Sequence, residues 1–261
     1  MTNDHGPFDI VGDVHGCCDE LEKLLELLGY RLNAEALPDS IWGPGVWSHP
    51  DGRRVVFLGD LADRGPRVAD TFRLAANMMA SGHALCVPGN HDVKLRRKLL
   101  GHHVKISHGL ENSLADLERS PELRAPIADF VGSLPGHLVL DGGKLVAAHG
   151  GLKEELHGQD SKAARHFALY GDPTGEIDES GYPVRRDWAA SYQGDATVVY
   201  GHTPILNPEW INNTVNIDTG CVFGGRLTAL RYPEREFVFV QSNFEYVPHR
   251  LFQPGTGSVL S

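Results

Sequence analysis

A chain of 261 residues that is 41% hydrophobic can bury a substantial core within one large domain, and no apolar run approaches the ~18 residues of a transmembrane helix. A formal charge of −10 opposes long-range attraction of a polyanion, so nucleic acid would have to be met by local basic patches, whereas a site that gathers cations is favoured. Cys17, Cys18, Cys86 and Cys221 lack paired CxxC spacing, and the start MTNDHGPFDIVGD leaves no room for a signal peptide; a zinc ribbon, a disulfide framework and secretion are disfavoured, and a reducing cytoplasm is expected.

In chain order, Phe8–Gly16 (FDIVGDVHG) is a strand that exits at glycine and delivers Asp13 and His15. Leu21, Leu24, Leu25 and Leu28 have helical spacing; Asp19 and Glu20 suit the N-terminal turn and Gly29 the stop, which predicts a helix over Cys18–Leu28. Residues 30–53, rich in Gly, Pro and Asp, read as an irregular excursion. Val55–Leu58 is a fully buried strand, ended by Gly59 and followed by Asp60, Asp63 and Arg64. Val68–Ser81 reads as a helix with Gly82 as its stop. Ala84–Val87 is a third strand whose exit is Gly89-Asn90-His91-Asp92, and Val93–Leu100 opens a third helix.

Residues 101–140 lack strand character but hold two amphipathic patterns, Leu110/Leu114/Leu117 and Ile127/Phe130/Val131/Leu134, expected as a helical insertion bordering the site. Lys144–Ala148 is a strand ending in His149-Gly150-Gly151. Residues 152–195 are mixed, with turn signals at Asp172-Pro173-Thr174-Gly175 and Ser180-Gly181. Val198–Tyr200 is a strand ending in Gly201-His202-Thr203-Pro204. Val215–Ile217, Leu227–Tyr232 and Phe237–Gln241 read as consecutive antiparallel strands, and the tail 253–261 as frayed. No linker separates two domains, so one domain over 1–261 is expected.

Five strand ends thus supply Asp13, His15, Asp60, Asn90, His149 and His202. Each alone is more often turn chemistry or a satisfied polar group, but six ligand types at successive strand exits point to a metal site. Mixed oxygen and imidazole donors suit Mn, Fe, Zn or Ni. Asp60, at the middle exit, is the candidate bridging carboxylate between two ions, and the neutral Asn90 amide would leave its ion more Lewis-acidic than a further carboxylate.

Asp13-Val14-His15, Gly59-Asp60-Leu61-Ala62-Asp63-Arg64-Gly65, Gly89-Asn90-His91-Asp92, His149-Gly150 and Gly201-His202-Thr203 resemble the ordered motifs of the calcineurin-like metallophosphoesterases, over roughly residues 8–225. FDIVGDVHGC, ALCVPGNHDVKL, FALYGDPTGE, VVYGHTP and IDTGCVFGGRLTALRYPE further resemble the phosphatase module of the bacterial polynucleotide kinase–phosphatases of RNA repair. Diadenosine tetraphosphatase-like and small serine/threonine phosphatases share the metal motifs but match these other stretches less well. The resemblance implies an α/β (α+β) fold, a central β-sandwich flanked by helices. It assigns Asp13, His15 and Asp60 to one metal and Asp60, Asn90, His149 and His202 to the other, with manganese as the working ion. Phosphate esters, namely 2′-, 3′- or 2′,3′-cyclic phosphates at RNA ends or on nucleotides, are the implied substrates. Dinucleoside tetraphosphate hydrolysis and serine/threonine protein phosphatase activity are the alternatives. A non-catalytic binding module would be expected to lack some of these residues, and none is missing.

On that chemistry Arg64 would balance phosphoryl charge with a planar donor fork. His91, beside Asn90, would be the general acid, oriented and kept charged by Asp63. Asp92 would support the loop, and Asp218 is a second-tier site residue. Lys94, Arg96, Arg97, Lys98 and Lys105 would guide an RNA end or, more simply, form a solvated helix face. Arg185 and Arg186 carry the same ambiguity, and Trp188 and Tyr192 suit core packing better than base stacking. No G-x-x-x-x-G-K-[ST] loop is present; the chain reads either as a free-standing phosphatase, with kinase or ligase modules as partners on other chains, or as an excised domain.

Overall fold

Hydrophobic alternation along short strands builds two sheets, each with two sides to cover. The computed structural model describes residues 4–178 and 183–253. Along the chain come β1 (Phe8–Val11), α1 (Cys18–Leu28), a hairpin of β2 (Arg31–Asn33) and β3 (Val46–Ser48), β4 (Arg54–Phe57), α2 (Val68–Ala80) and β5 (Ala84–Cys86). Three helices follow, α3 (Asn90–Leu99), α4 (Leu110–Arg119) and α5 (Arg124–Ser133), then β6 (Leu138–Leu140), β7 (Leu145–Ala147) and α6 (Lys162–Tyr170). A second hairpin, β8 (Pro173–Ile177) with β9 (Pro183–Arg185), precedes β10 (Thr197–Tyr200), β11 (Trp210–Ile211), β12 (Thr214–Asn216), β13 (Arg226–Tyr232) and β14 (Glu236–Gln241).

One five-stranded sheet has the order β14-β13-β1-β4-β5 and the other β11-β12-β10-β7-β6. Successive side chains alternate faces: Ile10, Val56 and Leu58 join Leu145, Ala147, Val199 and Val215 in the layer between the sheets. Val11, Val55 and Phe57 point the other way, into a second core shared with α1, α2 and the α3–α5 region. α6, Trp188 and Tyr192 cover the outer face of the second sheet, so these two aromatics are core residues as expected. This is the α/β sandwich with flanking helices that the motifs implied.

α1 matches its expected bounds because Leu21, Leu24, Leu25 and Leu28 are buried along one face and Gly29, at φ 99°, ends it in the left-handed conformation. At the end of the first sheet opposite the strand exits, Asp9 is fully buried between Arg53, Arg231 and the Tyr30 hydroxyl. Among the described residues no helix is long and apolar enough to cross a membrane.

Several expectations are corrected. The excursion at 30–53 contains β2 and β3, an antiparallel pair of three residues each, the first exposed and the second largely buried, too short to leave a periodic signal. Residues 101–140 do end in a strand: β6, of three residues, pairs with β7 at the sheet edge. The turn signal at Asp172–Gly175 overlaps β8, whereas Ser180-Gly181 and residues 254–261 lie outside the described residues. The last three expected strands are not one antiparallel set. β12 runs parallel to β10 in the second sheet, while β13 and β14 pair antiparallel in the first; that long-range choice of sheet has no local signature.

Candidate metal centre

Parallel pairing sets β1, β4 and β5 side by side, with Val11 opposite Phe57 and Phe57 opposite Cys86, so their exits open on one edge. In the second sheet β7, β10 and β12 are likewise parallel, and their exits carry His149, His202 and Asp218. The β4 and β5 exits pass so close that a Cβ on Gly59 would lie 2.2 Å from the Gly89 nitrogen, and one on Gly89 would lie 2.0 Å from Asp60 Oδ1. Only glycine permits this approach. His15, Asp60, Asp63, Arg64 and His202 all hold left-handed backbone, at φ 46°, 47°, 73°, 71° and 74°, a strained conformation for residues with side chains.

Asp60 is the hub. Its Oδ1 accepts from the His91 backbone N–H at 2.9 Å, and its Oδ2 lies 3.5 Å from His15 Nε2 and 3.4 Å from His149 Nε2. His149 Nδ1 donates to the Leu58 carbonyl at 3.0 Å, which leaves Nε2 as a lone pair. That Nε2 sits 3.0 Å from Asn90 Oδ1. Three acceptor atoms, from Asp60, Asn90 and His149, therefore converge, and the His202 ring joins them with Nδ1 3.0 Å from His149 Nε2. Convergent lone pairs of this kind fit a divalent cation. His15 is prepared in the same way: Nδ1 donates to the Ala62 carbonyl at 2.8 Å and Nε2 faces Asp60.

Asp13 is buried, and its carboxylate accepts from the His202 backbone N–H at 3.1 Å. It feels the charges of Asp218 and Asp60. Among the described residues, the groups of three with ligand atoms within 4.8 Å of one another include Asp60/His149/His202 and His15/Asp60/His91. The second expected ligand set is thus gathered. In the first, Asp13 is in neither of these groups, and His91 stands beside His15 and Asp60, near the expected ligands.

Burial dominates the protonation of the centre. It holds His15, His91 and His202 well below the ordinary imidazole value and brings His149 to about 3, so the rings present lone pairs at neutral pH. Burial, with Asp218 acting on Asp13 and Asp92 on Asp60, raises both carboxyls.

His91 Nδ1 donates to Asp63 Oδ2 at 2.7 Å. Asp63 was expected to keep His91 charged; instead burial and then the Arg64 guanidinium hold the ring neutral. Arg64 was expected to face a phosphoryl group. Its guanidinium contacts His15 Nε2 and donates to His91 Nε2 at 2.9 Å, packed 5.1 Å above the Phe223 ring, because these lone pairs are the acceptors nearest to a half-buried cation. Asp92 accepts from the backbone N–H of Ala62 and Gly89, tying two exits together while it starts α3. Asp218 accepts from the Gly220 N–H.

Two further residues matter here. Ser113, in the helical insertion, holds Asp63; its only signal in the sequence was a polar residue on the apolar stripe of α4. Arg185 donates to His202 Nε2 at 2.7 Å, and with Arg186, Trp188, Tyr200 and Asn216 lines a cavity of about 180 Å³ beside the centre. Of the basic stretch, Arg96 donates to the Ala128 carbonyl and Arg97 is exposed.

The calcineurin-like phosphoesterase family model matches residues 6–206, and members of that family use a binuclear divalent metal centre. A protein of Anoxybacillus flavithermus named bis(5′-nucleosyl)-tetraphosphatase PrpE [asymmetrical] is 46% identical over 95% of this chain and 98% of its own length. The protein of the same name from Halalkalibacterium halodurans is 48% identical over 90% and 94%. Among solved structures, one provisionally assigned as a diadenosine tetraphosphatase superposes with TM-score 0.63 at 23% identity, covering 93% of this chain and 96% of that one. A serine/threonine phosphatase of Saccharomyces cerevisiae gives TM-score 0.58 at 15% identity, over 95% and 82%. The two bacterial sequence relatives carry the tetraphosphatase name, where the sequence pattern pointed first to the RNA-repair module; metal motifs common to all these enzymes do not discriminate substrates.

Proposed function

The chain belongs to the calcineurin-like phosphoesterases, and on that premise we propose that it is a dinucleoside tetraphosphate hydrolase that cleaves its substrate asymmetrically, to a nucleoside triphosphate and a nucleoside monophosphate. Metal-dependent phosphoester hydrolysis is the coarser activity. The substrate reading is supported by relatives above 40% identity that align over nine-tenths or more of the chain and carry that name. The observation that carries the chemistry is Asp60 Oδ2 within 3.5 Å of imidazole nitrogens from two different sheets.

In this reading Asp13, His15 and Asp60 hold one ion, and Asp60, Asn90, His149 and His202 hold the other. Mixed oxygen and imidazole donors suit Mn, Fe, Zn or Ni, and of these manganese is the ion that the family resemblance favours. Bound there, two divalent ions polarise phosphoryl oxygens and acidify water. Arg64 adds fixed positive charge beside the reacting phosphate. For His91 to act as the acid, its Nε2, which accepts from Arg64 in the neutral ring, would first take up a proton, with Asp63 holding the resulting imidazolium at Nδ1, and would then pass that proton to the departing oxygen. Asp92 and Asp218 act on loop geometry.

A manganese-supplemented substrate panel tests the reading: diadenosine tetraphosphate, RNA ends bearing 2′-, 3′- or cyclic phosphate, and phosphopeptides. Diadenosine tetraphosphate should give ATP and AMP with kcat/KM about tenfold or more above every other substrate. Preference for an RNA end would overturn it. Asp60→Asn keeps an acceptor for the His91 N–H but removes the bridging charge, and should cost about a thousandfold in turnover on every substrate.

A further inference from the structure

A general acid has to lie beside the leaving oxygen, so the leaving group must extend over the side of the centre that His91 faces. Lys94 stands one helical turn beyond His91 on α3, on the same face. Its Nζ donates to the carbonyl and the hydroxyl of Ser107, which binds α3 to the exposed loop holding Lys105 and His108. The groups crowd electrostatically: Lys94 and His108 both act on His91, and Arg64 and Lys105 both act on Lys94. Asp63 and Glu111 are the acids that offset Lys94, but Asp63 is already engaged by His91 and Ser113. Among the described residues, no carboxylate forms an ion pair within 4.0 Å of Lys94, Lys105 or His108. In a protein of formal charge −10, a basic group left without paired acids at the mouth of the site calls for an anionic ligand.

We propose that Lys94, Lys105 and His108 form a phosphate-binding rim on the leaving-group side, which selects substrates whose leaving group is itself a polyphosphate chain. The inference rests on the tetraphosphatase reading and names what recognises the departing part. When water attacks the phosphorus, the new P–O bond forms and the attacking water gives up a proton to solvent, while the bond to the leaving phosphate breaks, its electron pair passes to that phosphate oxygen, and this oxygen takes the proton that His91 holds. A departing alcohol carries no charge and gains nothing from the rim. A departing triphosphate carries several charges, which ammonium and imidazole N–H donors can bind.

The test uses inhibition of p-nitrophenyl phosphate hydrolysis by the manganese-loaded enzyme at fixed free metal, with tripolyphosphate and inorganic phosphate as probes. The wild-type enzyme should bind tripolyphosphate about tenfold tighter than phosphate, and the Lys94→Ala/Lys105→Ala variant should lose most of that preference. Lys94→Arg should keep it, and Arg97→Ala, which removes an exposed charge elsewhere on α3, should change it less than about twofold. An unchanged ratio in the double variant overturns the proposal, as does an equal loss in Arg97→Ala. Because the readout is not dinucleotide turnover, a failure of the substrate reading remains separable from a failure of the rim.

Discussion

Ser113 holds Asp63 at two points: its hydroxyl donates to Asp63 Oδ1 at 2.6 Å and accepts from the Asp63 backbone N–H at 2.8 Å. The helical insertion is thereby joined to the His91 dyad, and α4 acts as a brace for the acid.

Ser113→Ala tests that brace. Burial raises the Asp63 carboxyl to about 6, and the Ser113 hydroxyl opposes the rise. Without the hydroxyl the carboxyl moves further up, so the acidic limb of the kcat–pH profile should shift to higher pH. kcat should fall about tenfold, with KM changed less than about twofold. A profile that keeps its position would remove Ser113 from the positioning of His91.

His91→Ala should slow esters with poor leaving groups about a hundredfold more than p-nitrophenyl phosphate, whose phenolate departs unaided. Steady-state kinetics on an alkyl phosphate and the aryl phosphate decide it. Equal losses on both would end the general-acid role.

Metal binding should release protons. Burial, followed by neighbouring carboxylates, raises Asp13 and Asp60 in the metal-free chain, while the four imidazoles are held low. An arriving cation therefore displaces protons from carboxyls rather than from rings, and apparent affinity should rise with pH through the raised range in which these two carboxyls titrate. Calorimetry with manganese in buffers of different ionisation enthalpy measures the proton count. Zero or negative release would contradict the account.

Asp9 separates stability from activity. It is fully buried and bridges Arg53 and Arg231 at the end of the sheet opposite the centre. Asp9→Ala leaves guanidinium groups without their partner and should cost about 3 kcal/mol in urea unfolding. kcat measured well below the unfolding temperature should stay within about twofold of wild type.

The strand exits were legible because short apolar runs closed by a nearby glycine are local patterns, and so were α1 and α2, whose leucine and alanine stripes repeat at the helical period. Ser113 was not legible as a partner of Asp63, since fifty residues separate them and only packing of α4 brings the hydroxyl inward. The same limit hid the contact of Arg185 with His202, which depends on the β8–β9 hairpin folding back over the second sheet. Ligand types could be read from spacing; the neutral state of His91 could not, because desolvation is a property of the assembled interior.

The left-handed main chain at His15, Asp60, Asp63, Arg64 and His202 sets thermotolerance against turnover. An achiral residue would relax each of these turns, so selection for heat resistance alone would drift toward glycine at Asp63 or Arg64 and harden the loop while erasing its chemistry. Variants that melt higher should therefore be sought away from the rim of parallel strand ends, in the hairpins and outer helices.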